Sequence, residues 1–151
     1  MIRMTKLTDY GIVLLTHMAM EAQGKLHTAQ DLATRSRVPV PTASKLLKAL
    51  ARAGLVISHR GRNGGYGLSR PADAINVAEI IAAIEGPIGL TECGTGAEGA
   101  CDMETFCAAR GRWAPINRAI ERALQDVPLS AMRPQQPERL VRLEAGTGVA
   151  P

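Results

Sequence analysis

The chain has 151 residues, 46% hydrophobic and 21% charged, which is expected to fold as one domain with a helical extension and leaves little room for a two-domain enzyme. Only Tyr10, Tyr66, Phe106 and Trp113 are aromatic, so Ala, Leu, Ile and Val must build the core, which favours close-packed helices over a sandwich. No apolar run reaches the ~18 residues of a membrane span, and residues 1–20 lack the pattern of a signal peptide, so a soluble, cytoplasmic protein without membrane contact is expected.

The formal net charge of +4 suggests only mild affinity for polyanions, but its distribution is uneven. Residues 32–72 carry eight basic side chains (Arg35, Arg37, Lys45, Lys48, Arg52, Arg60, Arg62 and Arg70) and no Asp or Glu. Residues 71–109 carry seven acids and no Lys or Arg. One stretch can meet phosphates while the next repels them.

In chain order, residues 9–22 show helical spacing of Tyr10, Val13, Leu14, His17, Met18 and Glu21, apolar apart from two members, the first expected helix. Thr28, with Asp31 three places on, forms an acidic version of a capping box and opens a second, short helix ending near Ser36. Pro39 and Pro41 interrupt it, and a third helix is expected from about Thr42 to Ala53, stopped by Gly54. Ala43, Leu46, Leu47 and Leu50 give it one apolar side, leaving Thr42, Ser44, Lys45, Lys48 and Arg52 toward solvent. Residues 55–60 and 66–69, joined across Gly61-Arg62-Asn63-Gly64-Gly65, read as a β-hairpin.

Asn76 and Glu79 form another capping pair, and Val77, Ile80, Ile81 and Ile84 mark a fourth helix up to Gly86. Residues 87–102 read as loop. Trp113, Ile116, Ile120, Ala123, Leu124 and Val127 then mark a longer helix whose apolar stripe nothing in this small chain can cover, so pairing with a second copy as a homodimer is expected. The expected fold class is mainly α with a small β-hairpin: a winged helix-turn-helix plus a long C-terminal dimerisation helix. Its units are a DNA-binding domain over 1–86, a cofactor loop over 87–108, the dimerisation helix over 109–128 and a mobile tail over 129–151.

A basic helix followed by a basic hairpin suits double-stranded DNA, because a helix about 10 Å across enters the major groove while a hairpin tip lies on backbone or minor groove. Thr42, Ser44 and Lys45 are expected near base edges, Lys48 and Arg52 on phosphates, and Arg60, Arg62 and Asn63 at the wing. A merely solvated face, or a metal-stabilised winged-helix module that binds protein, is the bland alternative, and the acid-free stretch weighs against both. Gly64-Gly65 is no phosphate-cradling loop, since no Gly-Lys-Ser/Thr follows; turns with positive φ and close approach to a duplex explain it better.

Cys93, Cys101 and Cys107 lie within 15 residues, spaced C-x7-C-x5-C. An odd count argues against a disulfide framework and for a metal or redox role, although three unrelated thiols would be the plainest reading. Zinc would call for C-x2-C pairs and a fourth Cys or His, whereas an iron–sulfur cluster, 2Fe-2S or 4Fe-4S, tolerates irregular spacing and a non-Cys ligand. No residue pairs a cysteine with a positioned base, and the surrounding acids would raise thiol pKa, so a cysteine-nucleophile enzyme is not expected. His17, His27 and His59 carry no metal assignment.

Lys6-Leu7-Thr8-Asp9-Tyr10, Ala53-Gly54-Leu55-Val56, the wing from Ser58 to Leu68, and Ala83-Ile84-Glu85-Gly86-Pro87 resemble the IscR/NsrR-type winged-helix regulators over residues 2–126. The wing is the most specific of these motifs. The resemblance implies a homodimeric transcription factor, usually a repressor, whose cluster is held by three cysteines, here Cys93, Cys101 and Cys107. The opening is most similar to regulators of Suf-type iron–sulfur assembly operons, with a nitric oxide- or iron-responsive member of the same family as the alternative. The first cysteine gap is two residues longer than the family's usual C-x5-C-x5-C, and Arg110 stands where some members have a histidine ligand. Other members take an aspartate from the partner's first helix, a position that Asp9 matches; a helix N-terminus also favours an acid for its own dipole.

Overall fold

The computed structural model describes residues 3–95, 101–102, 106–109 and 111–134, with backbone alone at Cys93 and Thr95. Helices α1 (Lys6–Ala19), α2 (Ala29–Ser36) and α3 (Val40–Arg52) precede an antiparallel hairpin, β1 (Val56–His59) and β2 (Gly65–Leu68). A 3-10 turn (Ala72–Ala74), α4 (Val77–Glu85), a second 3-10 turn (Glu92–Thr95), α5 (Trp113–Gln125) and a third turn (Leu129–Met132) follow. Among the described residues, no helix is long and apolar enough to cross a membrane.

Caps explain most of the boundaries. The Thr28 hydroxyl accepts the Asp31 N–H at 3.0 Å, as the pattern predicts, and Asn76 and Glu79 close a reciprocal capping box on α4. Helix α1 starts three residues before the expected Asp9 because the Thr5 hydroxyl accepts the Thr8 N–H. It also stops three residues early, and Glu21, outside the helix, pairs with Lys25 and Arg35. Helix α3 starts at Val40 and not Thr42: first-turn N–H groups have no partner within the helix, so Pro41 costs nothing there.

The core lies where α1, α2, α3 and α4 meet. Leu14, Leu15, Leu32, Leu47, Leu50, Ile75 and Ile80 are fully buried, each adding about 1.5–3 kcal/mol of apolar burial. All four residues expected inward on α3 are buried. On α1 the buried set is Thr8, Gly11, Leu14, Leu15, Met18 and Ala19, so the inward face is turned from the expected one, and Val13 and His17 are only half-buried.

The C-terminal expectations change most. Helix α5 covers 13 residues, shorter than the expected 109–128. The tail expected from 129 instead begins with a packed turn: Leu129 is fully buried, and its N–H donates to the Ile75 carbonyl at 2.7 Å. The Val77 N–H donates to the Val127 carbonyl at 3.0 Å, so the chain leaving α5 is stitched onto the start of α4. Residues 135–151 of the expected tail lie outside the described residues.

Candidate nucleic-acid interface and cysteine-bearing segment

Helix α3 and the hairpin wall a basic groove. Lys48, Ala51 and Arg52 of α3 face Ser58 and Tyr66 of the hairpin. The groove continues past Thr28, Ala29, Arg60, Gly64 and Gly65, so the α2 N-terminus opens onto it. The structure therefore brings Lys48, Arg52 and Arg60 together. Lys45 is exposed and Thr42 and Ser44 half-buried on α3, while Arg62 and Asn63 are exposed at the hairpin turn. Thr28, Ser58 and Tyr66 were not singled out as site residues from sequence. Thr28 could have been, because a capped helix start offers free backbone N–H groups and a positive dipole end.

The charge of the acid-free stretch is partly spent. Among the described residues, Arg35 pairs with Glu21 at 2.9 Å and Arg70 with Glu79 at 2.6 Å, both acids lying outside the stretch. Lys45, Lys48, Arg52, Arg60 and Arg62 take part in no ion pair among the described residues, which leaves them to an external anion. An unpaired basic cluster along one groove is the footprint of phosphate contact.

The wing glycines have a different cause from the expected one. Gly61 carries the positive φ of 110°, whereas Gly64 and Gly65 carry none. A Cβ on Gly64 would lie 2.2 Å from the His59 carbonyl oxygen, and one on Gly65 2.7 Å from that of His27. Both positions are thus already required by the chain's own backbone. His27 exchanges backbone hydrogen bonds with Tyr66 at 2.9 and 2.8 Å, tying the loop before α2 to the far side of β2. Its side chain is buried, Nε2 has no partner among the described residues, and burial, reinforced by Lys25 and Arg35, holds its pKa below the ordinary range.

A clamp closes the reading head just before the cysteine segment. The hydroxyls of Thr5 and of fully buried Thr8 both donate to the Glu85 carboxylate, clamping the start of α1 to the end of α4 just before Gly86-Pro87. These two hydrogen bonds hold the Glu85 carboxyl below the usual carboxylate range.

Of the expected cluster ligands, Asp9 is exposed in the first turn of α1, and Cys101 and Cys107 are half-buried free thiols. Cys93 lies in the 3-10 turn Glu92–Thr95, with its side chain outside the described residues, as Arg110 is wholly. No three His, Cys, Asp or Glu side chains gather among the described residues. The fit to a cluster therefore rests on donor chemistry: three soft thiols, one of them in a turn that is packed on α5.

The stripe expected to pair with a second copy is partly covered: Trp113, Ile120, Leu124 and Val127 are half-buried, and Ile116 and Ala123 are exposed. Asn117 is the one buried residue of α5 among those described, and Ile116 is 45% exposed. Phe106, beside Cys107, is 87% exposed.

Comparison with known proteins agrees with this architecture. The chain is 33% identical over 134 residues to a Neisseria meningitidis serogroup A protein designated an HTH-type transcriptional regulator, covering 89% of each. It is 26% identical over 136 residues to the HTH-type transcriptional regulator NsrR of Halalkalibacterium halodurans, covering 90% of this chain and 93% of that one. Among solved structures it resembles CymR, the global cysteine regulator of B. subtilis (TM-score 0.67, 26% identity, 87% and 96% of the two chains). It also resembles T. potens IscR (TM-score 0.63, 25% identity, 87% and 85%). Both curated relatives are designated transcriptional regulators, and CymR a cysteine regulator. Residues 4–134 match the model of the Rrf2 family, described as iron-dependent transcriptional regulators, and the chain belongs to that family of DNA-binding winged-helix regulators.

Proposed function

We propose that this protein is an iron–sulfur cluster-sensing regulator that represses iron–sulfur assembly (suf) genes, acting as a homodimer on operator DNA. The observation that carries this reading is the succession of an unpaired basic groove and, past the Glu85 clamp, three cysteines within 15 residues. Thr42, Ser44 and Lys45 face base edges; Lys48 and Arg52 meet phosphates, and Arg60, Arg62 and Asn63 lie at the wing. The partly exposed stripe of α5 pairs two chains, and Cys93, Cys101 and Cys107 hold the cluster, with Asp9 contributed from across the dimer.

When bound, the cluster supplies a centre that is sensitive to electrons and oxidants. The chain's own part is mechanical. Cluster binding over residues 88–108 shifts α5 against α4, and the Thr5–Thr8–Glu85 clamp carries that shift to α1 and the reading head. Occupancy then biases two states of the dimer that differ in DNA affinity.

Anaerobic reconstitution tests this reading. The expected result is a coloured dimer with stoichiometric iron and sulfide, bleached by Cys93→Ala, Cys101→Ala or Cys107→Ala. A colourless protein that takes up no iron and sulfide would overturn it, and a cluster held equally well by Asp9→Ala would remove Asp9 from the ligand set.

A further inference from the structure

Helix α5 buries a polar side chain where an apolar one would be expected. Asn117 is 6% exposed and lies under the 3-10 turn Glu92–Thr95. A buried amide is costly unless its donors and acceptor are used. The Asn117 Oδ1 accepts the Leu90 N–H at 3.0 Å, which fixes the orientation of the amide. Nδ2 is then forced to the other side, where it is buried without a partner among the described residues. It occupies the place a side chain would take at Gly94, the residue after Cys93: a Cβ there would lie 1.8 Å from Nδ2. Only glycine admits the amide so close to the turn, so Gly94 and Asn117 form one device. Oδ1 holds the entry to the turn, and Nδ2 carries a donor, unused among the described residues, against Gly94, the residue after Cys93.

We infer that Asn117 is a positioning residue for the cluster, its Nδ2–H group donating to sulfur at the Cys93 end of the site. The inference rests on the function proposed above. A neutral thiol is a poor acceptor, whereas a ligand sulfur bearing negative charge is a good one. A donor aimed at such a sulfur favours the reduced, more negative state, so it raises the reduction potential and slows loss of the group.

The test uses the full-length protein, reconstituted anaerobically, with 15N-labelled asparagine in one preparation. The reduced wild type is expected to show a weak 15N coupling by pulsed electron paramagnetic resonance. Asn117→Leu, near in size but without a donor, should lack that coupling and disfavour reduction by about tenfold, equivalent to about 59 mV for one electron. Gly94→Ala, which places a methyl group where Nδ2 sits, should also lose the coupling. A wild-type cluster with no asparagine coupling would overturn the inference without any variant, as would an Asn117→Leu potential equal to wild type. Wild-type protein that assembles no cluster would instead sink the functional reading, and this inference with it.

Discussion

The reading head and the cysteine-bearing segment are held by different forces. The first rests on an apolar core in which Leu14, Leu32, Leu47 and Leu50 are fully buried, packing that fixes α3 and the hairpin relative to each other. Among the described residues, the second is anchored by the Asn117 amide on Leu90, between the Glu85 clamp that closes the reading head before it and the Val77–Val127 stitch that holds the end of α5 to α4. A dense core resists change, whereas a handful of hydrogen bonds can be rearranged by a bound group for little energy. On the proposed function, the molecule joins a rigid reader to a segment that a bound group resets.

The largest expected effect comes from emptying the core on one side and the stripe on the other. Leu47→Ala should destabilise the protein by about 2–5 kcal/mol in denaturant titrations, as large-to-small core changes do. Ile116→Ala on α5, 45% exposed, should leave the fold nearly as stable while weakening the dimer in sedimentation. Equal losses of stability would erase the contrast between the two regions.

Next in size is the groove. Lys48→Ala and Arg52→Ala should each weaken binding to all duplex sequences and lower the slope of log affinity against log salt by about 1 for each phosphate no longer neutralised. Arg35→Ala, whose charge already pairs with Glu21, should change the slope least. A salt-independent interaction would point to a protein partner instead.

The clamp predicts a smaller, pH-dependent effect. Because Glu85 titrates in the folded protein below its ordinary 4.5, its contribution is fully present above that value and is lost as pH falls through the lower one. Glu85→Gln should therefore reduce stability at neutral pH and flatten its acid limb. Smallest is the wing. With its pKa held below 6.5, His27 resists protonation in the fold, so hydrogen-exchange protection at Tyr66 should decline as pH falls below 6.5. His27→Gln should remove that dependence.

The same contrast decides what was legible in the sequence. Helix α3 could be read almost to the residue because its Ala43, Leu46, Leu47 and Leu50 stripe faces a core made by neighbours close in the chain. The hairpin and the capping boxes were equally local. The turn of α1 was not, because Thr8 faces inward to meet Glu85, a contact 77 residues away. The packed turn at Leu129 was hidden for a similar reason: Pro128 and the small residues around it suggest a tail until Ile75 supplies the partner. Of the site, the basic residues were visible as an acid-free run, but their pairing with Glu21 and Glu79 depends on packing. Asn117 gave no sequence signal, since one amide within an amphipathic helix reads as surface.

Central to the account is that occupancy of the cysteine segment sets the affinity of the reading head. The direct measurement compares apo and anaerobically reconstituted protein, at one salt concentration, on duplex DNA selected by the protein from random sequence. The account predicts dissociation constants that differ by at least about tenfold, roughly 1.4 kcal/mol of coupling, with the difference abolished by Cys101→Ala. Equal affinities for the two forms would contradict it.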